Sequence, residues 1–267
     1  MDWRSPSSAT KRACSGWRRC PRSRKPRRSP GTRTSDVCGR YARQLEFEFA
    51  EDQRSTLERL NPLLVDELLQ REPAYNICPT QIQPVIAMGE SQAEMKGLRW
   101  GLVPSWAKDL KIGAHAINAR QETVQEKPMF RTAFKKRRAL VPATGYYEWT
   151  GEPGHKQPFF IYPPDHRLLL FAGLWEAWKD KSDPEAEWVK TFTVITGEPG
   201  KVSGDVHDRQ PVILPASMWE SWLTGTPEDA AALLAEVPEA ELTYHPVTKA
   251  VSSPKSQGEQ LVEPIEI

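Results

Sequence analysis

The strongest constraint on the fold is a series of short apolar runs between residues 84 and 215, each rich in β-branched or aromatic side chains. Loops containing Gly, Pro and Asp separate these runs. Runs of this length that are bounded by turn residues are typical of β-strands. We therefore predict eight strands in this part of the chain, over residues 84–88, 95–103, 138–143, 145–150, 158–163, 167–178, 188–196 and 210–215.

Helical patterns flank these strands. Apolar residues share one helical face over residues 45–60, and two further helices are predicted over 215–223 and 227–237. Strands in the middle of a chain with helices toward its ends indicate the α+β class. We expect a single domain with a largely antiparallel sheet or barrel-like core, peripheral helices and a weakly ordered tail after Val251.

Residues 1–36 differ in composition from the rest of the chain. They contain 11 Lys or Arg and two acidic residues, a net charge of +9, whereas residues 37–267 carry a net charge of −8. A segment with so few aliphatic side chains cannot offset the entropy of ordering, so we predict that it is disordered. Val37 can be encoded by GUG, which bacteria also use as a start codon. We therefore expect residues 1–36 to be a mis-assigned start or a removed segment, with a nucleic-acid-binding arm as the alternative, and residues 37–267 to be the working domain.

The cysteines and the apolar runs narrow the class of protein further. The chain has four cysteines, Cys14, Cys20, Cys38 and Cys78, without a Cys-x-x-Cys pair. This spacing supports neither a zinc site nor a disulfide framework, so we expect no metal or cofactor and a reducing compartment. The sequence also lacks an apolar run long enough for a membrane helix and the apolar centre of a secretory signal. These features favour a protein of the bacterial cytoplasm.

Four short stretches place chemically capable side chains among Gly, Pro or aromatic neighbours. They are CGRY (38–41), INAR (117–120), GYYEW (145–149) and DVHDRQP (205–211). Each has an ordinary structural explanation when it is taken alone. An Asn in a loop is commonly a turn former, and a Glu in an aromatic strand can simply alternate toward solvent. A His between two Asp residues is often a surface hydrogen-bonding group.

Taken together and in this order, the four stretches resemble the SRAP family of SOS response-associated peptidases, or abasic-site processing proteins. Further similar segments are YNICPTQ (75–81), WGLVPSW (100–106), KQPFFIY (156–162) and YHPVTKAV (244–251). The resemblance runs from Cys38 to about Glu263. Two positions depart from the family pattern, because Val37 replaces the initiating Met and Cys78 stands where a small residue such as Ala is expected.

The resemblance implies covalent chemistry at Cys38. An amino-terminal Cys carries an amine and a thiol on adjacent carbons, and the two can capture the aldehyde of an abasic site as a thiazolidine ring. Glu148 would hold or transfer the proton of the amine, and His207 would act as general acid–base on the sugar. Asn118 would hold the Cys38 terminus or the sugar by hydrogen bonds. Lyase activity through the Schiff base and self-cleaving peptidase activity are further implications.

The resemblance also implies binding of single-stranded DNA that contains abasic sites, although the domain has a net negative charge. Arginines within or beside the motifs would bind phosphates, and apolar side chains would stack on or wedge between bases. The predicted DNA contacts are Arg40, Arg120, Arg209, Trp100, Trp106 and Met129. We expect a monomer that associates with the nucleoid and the replication fork.

Two other hypotheses fit parts of the sequence. A cysteine peptidase or amidase would use Cys38 as a thiolate nucleophile with His207 as base, helped by Glu148 or Asn118. A simple nucleic-acid-binding module would depend on the basic segment 1–36 instead. Only the abasic-site hypothesis predicts a denaturation-resistant adduct that depends on Cys38.

Overall fold

The computed structural model describes residues 39–44 and 47–267. Cys38 and the segment 1–36 lie outside the described residues. Within the described part, the chain forms twelve strands: β1 (Tyr41–Arg43), β2 (Ala74–Ile77), β3 (Ile82–Met88), β4 (Ala93–Trp100), β5 (Asn118–Arg120), β6 (Arg138–Ala143), β7 (Gly145–Thr150), β8 (Gln157–Tyr162), β9 (Leu169–Trp178), β10 (Val189–Gly197), β11 (Gln210–Pro211) and β12 (Thr243–Pro246).

The same residues form five α-helices and four short 3-10 helices. The α-helices are α1 (Glu51–Leu60), α2 (Leu64–Leu69), α3 (Arg131–Lys136), α4 (Ala216–Thr224) and α5 (Pro227–Glu236). The 3-10 helices are Leu110–His115, Ser203–Asp205, Lys249–Ser252 and Glu259–Leu261. No helix formed by the described residues combines the length and the apolar character needed to cross a bilayer.

Five strands close into a barrel in the order β10–β4–β3–β6–β9, with β9 pairing back to β10. Neighbouring strands are antiparallel except β4 and β10, which are parallel. A second sheet, in the order β12–β8–β7–β1–β2, is antiparallel throughout. This architecture confirms the predicted α+β class with a largely antiparallel, barrel-like core.

Aromatic side chains join the second sheet to the barrel. Tyr41 of β1 packs edge-on against Trp100 of β4, with ring centroids 5.1 Å apart, and against Phe171 of β9 at 6.1 Å. Tyr146 of β7 also contacts Phe171 edge-on. Because these four side chains are fully or almost fully buried, they fix the position of β1 and β7 relative to the barrel.

The far end of β10 positions the candidate site. β4 pairs with β10 at Thr191 and Phe192. Further along the same edge of β10, β5 pairs in parallel with Val194–Thr196. On the opposite edge, β11 pairs with Thr196 and Gly197. Two of the four motif segments, at 117–120 and 205–211, are thereby brought to one end of one strand.

The predicted helix over 45–60 is shorter than expected, because α1 begins only at Glu51. Ahead of it, Phe47 and Phe49 pack edge to face and Glu48 forms an isolated bridge with Arg167. The Gln53 side chain accepts a hydrogen bond from the Ala50 N–H and so caps the helix at that point. The predicted strand over 210–215 is also reduced to Gln210–Pro211, with a separate bridge from Ile213 to Phe171.

The segment after Val251 makes specific contacts with the second sheet. Asn76 donates hydrogen bonds to the carbonyls of Ser253 and Ser256, both at 2.9 Å. His245 Nε2 lies 2.7 Å from the carbonyl oxygen of Val262. Val251 and Leu261 are fully buried. The segment thus covers the side of the sheet on which Arg40 lies.

Candidate active site

Glu148 and His207 form a buried acid–imidazole pair. His207 Nε2 lies 3.8 Å from Glu148 Oε2, and the two side chains are 4% and 3% exposed. Burial of both groups together strengthens their interaction, because little water is present to screen it. The pair brings together residues of two of the predicted motifs.

Strand β7 carries Glu148 and sets the direction of its side chain. Successive side chains of a strand point to opposite faces, so Tyr146 and Glu148 share one face while Tyr147 and Trp149 share the other. The packing agrees with this alternation, because Tyr146 lies in the core between the sheets and Tyr147 in a separate cluster with Phe160. Glu148 therefore points toward the segment that carries His207.

Strand β1 brings the start of the described chain beside Glu148. Tyr41 pairs with Tyr146, and the N–H of Tyr147 donates to the carbonyl of Arg40 at 3.0 Å. Cys38 is two peptide bonds before Arg40, but it lies outside the described residues. Its predicted position in the site therefore stays a prediction.

A single helical turn carries His207. The carbonyl of Ser203 accepts hydrogen bonds from the N–H of Val206 at 2.9 Å and from that of His207 at 2.8 Å. The Ser203 hydroxyl lies 2.5 Å from the hydroxyl of Tyr146, and both residues are fully buried. The turn is thereby attached to the strand that carries Glu148.

The surroundings of His207 Nδ1 suit both protonation states of the ring. The N–H of Arg209 donates to Nδ1 at 3.1 Å, which favours the neutral tautomer with its proton on Nε2, facing Glu148. Asp208 Oδ1 lies 3.2 Å from the same nitrogen and can accept its proton when the ring is charged. Nδ1 therefore has one donor, the Arg209 N–H, and two acceptors, the Asp208 carboxylate and the Arg209 carbonyl, within reach.

Arg40 is held by neutral acceptors. Its Nη1 donates to Asn76 Oδ1 at 2.8 Å and to the carbonyl of Val251 at 2.7 Å, and its Nη2 donates to the carbonyl of Ser252 at 3.3 Å. These contacts orient the guanidinium without cancelling its charge. Burial raises the pKa of the nearby Cys78 thiol, and the charge of Arg40 opposes that rise only in part. Cys78 is therefore a protonated thiol at neutral pH.

Arg209 is paired with an acidic residue that the sequence analysis did not identify. Its Nη1 and Nη2 bind the two oxygens of Glu122 at 2.5 and 3.0 Å, and Nη2 also donates to the carbonyl of Thr196 at 2.6 Å. Hydrogen bonding to Arg209 lowers the pKa of Glu122, with smaller contributions from the charges of Arg209 and Arg120. Glu122 therefore occupies the guanidinium of Arg209, a predicted phosphate-binding residue.

The predicted base-stacking residues differ in their exposure. Trp106 is 54% exposed and is available to a ligand, whereas Met129 is partly buried against the main core. Trp100 is 1% exposed, stacks on Phe192 and donates its indole N–H to the carbonyl of Ile117 at 2.9 Å. A base cannot reach it, so the predicted contact between Trp100 and DNA is incompatible with this structure.

Asn118 and Arg120 lie on β5, opposite Val194 and Thr196 of β10. Arg209 binds the carbonyl of Thr196, so β5 and the segment that carries His207 meet at this residue. Among the described residues, no group of three or more His, Cys, Asp or Glu side chains is arranged to hold a metal ion.

The family model described as SOS response associated peptidase (SRAP) matches residues 37–254. The chain belongs to the SRAP family. The match includes Cys38, Asn118, Glu148 and His207, so all four predicted catalytic residues fall inside the SRAP segment.

Relatives of this SRAP chain match it over most of its length. The abasic site processing protein YoqW of Bacillus subtilis (strain 168) is 36% identical over 234 residues, which cover 85% of this chain and 99% of YoqW. The abasic site processing protein YoaM of the same organism is 34% identical over 234 residues, covering 85% of this chain and 98% of YoaM. A crystal structure of a protein from Bacteroides thetaiotaomicron superposes with a TM-score of 0.65 at 25% identity, covering 82% of this SRAP chain and 98% of that one.

Proposed function

We propose that residues 37–267 process abasic sites in single-stranded DNA, and that Cys38 forms a covalent adduct with the lesion when it is the amino-terminal residue. Family membership and the names of the relatives support the substrate. The observation that carries the proposal is the buried Glu148–His207 pair beside β1, the strand that begins three residues after Cys38. The segment 1–36 has no part in this chemistry.

The chemistry needs both functional groups of an amino-terminal cysteine. In the ring-opened form of an abasic site, C1 of the sugar is an aldehyde. The Cys38 amine attacks this carbon, and loss of one water gives a Schiff base. The thiol then adds to the same carbon and its proton passes to the nitrogen, which closes a five-membered thiazolidine. The net reaction joins aldehyde and aminothiol with release of water, and it requires no oxidant or reductant.

Glu148 and His207 supply the proton transfers in this scheme. Glu148 accepts a proton from the Cys38 ammonium and returns it when the carbinolamine loses water. His207 donates to and accepts from the sugar oxygen during ring opening, with Asp208 available to stabilise the charged ring. Asn118 holds the sugar or the amine by neutral hydrogen bonds. If the Schiff base persists, β-elimination cleaves the strand, which is the lyase activity implied by the same intermediate.

In this proposal, three residues of the predicted contact set provide DNA binding. Arg40 carries a charge that none of its described hydrogen-bond acceptors neutralises, and Arg120 lies at the exposed edge of β5. Exposed Trp106 offers a ring on which an unpaired base can stack. Stacking of this kind needs bases that are not paired, which favours single strands over intact duplex.

The family's description as a peptidase favours one second candidate. A thiolate of Cys38, formed with His207 as base, would attack the carbonyl carbon of Val37 and displace the Cys38 nitrogen, which takes up a proton. Water would then hydrolyse the resulting thioester, which leaves a carboxylate on Val37 and the free amine and thiol of Cys38 that the adduct requires. Self-processing is therefore compatible with the proposal. Intact mass measurement of the 267-residue chain after incubation tests it, because cleavage leaves a species that begins with Cys38.

The decisive test compares variants at position 38 in a chain that begins with this residue. An abasic single-stranded oligonucleotide is incubated with each variant, with and without borohydride, and analysed on a denaturing gel. Wild-type protein should give a heat-resistant adduct without reductant. Cys38→Ala keeps the amine, so it should give an adduct only when borohydride reduces the Schiff base. A stable adduct of Cys38→Ala without reductant would exclude the thiazolidine.

The proton-transfer roles are tested by Glu148→Gln and His207→Ala. Loss of general acid–base catalysis should slow adduct formation by about 10²-fold, while noncovalent affinity for an undamaged oligonucleotide of the same length stays close to wild type. Native rates in both variants would show that other groups move the protons. A matched loss of affinity would instead assign both residues to DNA binding.

A further inference from the structure

A pair of buried hydroxyl groups lies next to the acid–imidazole pair and has no role in the chemistry above. The Tyr146 hydroxyl is 2.5 Å from the Ser203 hydroxyl, and both residues have no exposed surface. The two residues are 57 positions apart in the chain, so the contact is not a by-product of local structure. A hydrogen bond this short in a dry environment fixes the separation of the two segments that form it.

The two segments joined by this hydrogen bond are those that carry Glu148 and His207. Tyr146 and Glu148 are two residues apart on one face of β7, a spacing of about 6.6 Å along a strand. Ser203 and His207 are four residues apart, and the His207 N–H bonds to the Ser203 carbonyl at 2.8 Å, which makes the spacing about one helical turn, or about 5.4 Å. The two spacings are similar, so the strand and the turn lie side by side. Tyr146 contacts Ser203 at one end, and Glu148 faces His207 at the other.

We propose that Tyr146 and Ser203 are positioning residues that set the distance and orientation of His207 relative to Glu148. This inference rests on the proposed function, because it concerns the same reaction. His207 Nε2 and Glu148 Oε2 are 3.8 Å apart, beyond the range of a direct hydrogen bond, so their geometry depends on how the two segments that carry them are held. The hydroxyl pair, one helical turn before His207, fixes the relative position of these two segments. Neither hydroxyl contacts the substrate in this scheme.

The rest of the turn strengthens this positioning role. The same residue, Ser203, uses its hydroxyl to bind β7 and its carbonyl to receive the His207 N–H. Movement of the Ser203 backbone therefore moves His207 directly. A shift of about 1 Å in catalytic geometry is enough to reduce a rate by about 10²-fold.

Tyr147 provides a matched control. It is the next residue on β7, it is also fully buried, and its hydroxyl donates to the carbonyl of Tyr75 at 2.6 Å. Its ring lies on the opposite face of the strand, in a different apolar cluster from Tyr146. Removal of the Tyr147 hydroxyl therefore costs a similar buried hydrogen bond without touching the turn that carries His207.

The test measures adduct formation as a function of pH with Tyr146→Phe, Ser203→Ala, the double variant and Tyr147→Phe, each in a chain that begins with Cys38. The described fold is formed by residues after position 38, so this chain contains every element described above. Tyr146→Phe and Ser203→Ala should each lower the rate by about 10-fold or more and shift the pH of half-maximal rate. The double variant should resemble either single variant, because both remove one bond. Tyr147→Phe should keep the wild-type pH profile.

A second readout does not depend on activity. The imidazole resonances of His207 in the NMR spectrum of the full chain should change in Tyr146→Phe and Ser203→Ala and stay in place in Tyr147→Phe. If the first two variants keep both the wild-type pH profile and the wild-type resonances, the positioning role is excluded. If wild-type protein forms no adduct, the proposed function fails by itself, and the NMR comparison still decides whether the hydroxyl pair orients His207. If one of these two variants does not fold, the other still tests the positioning role, because Tyr146→Phe and Ser203→Ala remove opposite ends of the same hydrogen bond.

Discussion

Arg209 illustrates how a single partner changes the interpretation of a predicted DNA contact. Both terminal nitrogens of its guanidinium bind Glu122, the geometry in which arginine also binds a phosphate. A phosphate of the DNA backbone must therefore compete with this carboxylate. Glu122 is 47% exposed on its side chain, so the pair is accessible to solvent and to a competing anion.

Glu122→Gln should strengthen binding to single-stranded DNA by several-fold, because it leaves Arg209 with its charge and a weaker partner. For each phosphate neutralised, the logarithm of single-strand affinity falls by about 0.7 when the salt concentration rises tenfold. We expect the slope of log affinity against log salt concentration to be steeper by about 0.7 in the variant than in wild type, because one more arginine is released to bind phosphate. Fluorescence anisotropy across a salt series measures both slopes.

Glu126→Gln is the matched control, since Glu126 is an exposed acid four residues further along the same loop. It removes the same charge but releases no arginine, so its slope should equal that of wild type. Identical slopes in all three proteins would show that Arg209 does not bind phosphate.

At the level of single residues, the sequence could predict what lies within a motif but not what the motif contacts. The resemblance placed Glu148 and His207 in one site, and the structure brings the two side chains together. Glu122 is 87 positions from Arg209, and no local pattern connects them. Trp100 was predicted to face DNA because it lies in a motif, yet its side chain completes the barrel core.

Among the elements, strands with continuous apolar character were predicted best. The predicted ranges of β6 and β7 match the structure, and β9 and β10 differ by one or two residues at their ends. Short elements were missed, including α2, α3, β1 and β5. Elements of three to six residues gain little from local propensity, so their conformation depends on partners that are distant in the chain.

The segment after Val251 has an identifiable anchor in Asn76, which is fully buried. Asn76→Ala should lower the free energy of unfolding by about 1–3 kcal/mol, because it removes the hydrogen-bond partner of Arg40 and of two partly buried carbonyl groups. It should also release residues 249–262 to faster hydrogen exchange. Urea denaturation and exchange mass spectrometry measure the two effects.

Asn61→Ala separates anchoring from the general cost of losing a buried amide. Asn61 is 5% exposed and donates to the carbonyl of Ala93 at 2.9 Å, far in sequence from the C-terminal segment. It should destabilise the protein without selective release of residues 249–262. Equal exchange in the two variants would show that Asn76 does not anchor the segment.

Stability should also depend on pH through His245, which contacts the segment after Val251 at the carbonyl of Val262. Burial lowers the pKa of His245, and the charge of His166 lowers it further. The hydrogen bond to the carbonyl of Val262 acts in the opposite direction and raises this pKa. A histidine whose pKa is lower in the folded state binds fewer protons there than in the unfolded state. Its stabilising effect is therefore complete above the unfolded pKa of about 6.5 and is lost as the pH falls below that value.

Urea denaturation at pH 7.5 and pH 5.5 tests this dependence. Wild-type protein should lose stability on acidification, and His245→Gln should lose less. His155→Gln, at an exposed histidine, should lose as much as wild type. Equal losses in all three proteins would show that His245 does not contribute.

For the molecule as a whole, closure of the barrel depends on the close approach of β9 to both of its neighbours. A Cβ atom added at Gly173 would lie 2.9 Å from Val141 Cγ2 and 3.1 Å from the carbonyl oxygen of Thr193. Gly173→Val should therefore force the strands apart and lower the free energy of unfolding by about 3 kcal/mol or more, as overpacking of a tight core does. The urea midpoint reports this loss.

Gly97→Ala on β4 is the control for adding a side chain at a barrel glycine that has space for it. Its added Cβ would make only an ordinary contact, 3.4 Å from Ile82 Cγ2. This variant should stay within about 1 kcal/mol of wild type. A Gly173→Val protein as stable as Gly97→Ala would mean that the barrel can widen.

The barrel itself could not be predicted from the sequence beyond its class. Strand patterns indicate which residues are extended and which face is apolar, and they support a largely antiparallel arrangement. The parallel pairing of β4 with β10 joins Arg99 to Thr191, and nothing in either strand specifies the other. Register over such separations follows from packing of the whole core rather than from local pattern.

The carbonyl groups that hold Arg40 belong to Val251 and Ser252, and the first of these lies 211 residues further along the chain. A ribosome adds about 5–20 residues per second, so Arg40 is made at least about 10 seconds before the groups that orient it. Through most of that interval the segment around Arg40 lacks both carbonyls and the turn that carries His207, and of its three acceptors only Asn76 is made early. If the proposed function holds, a nascent chain should therefore be unable to react with a damaged strand, and synthesis itself would delay the proposed chemistry until the domain is nearly complete.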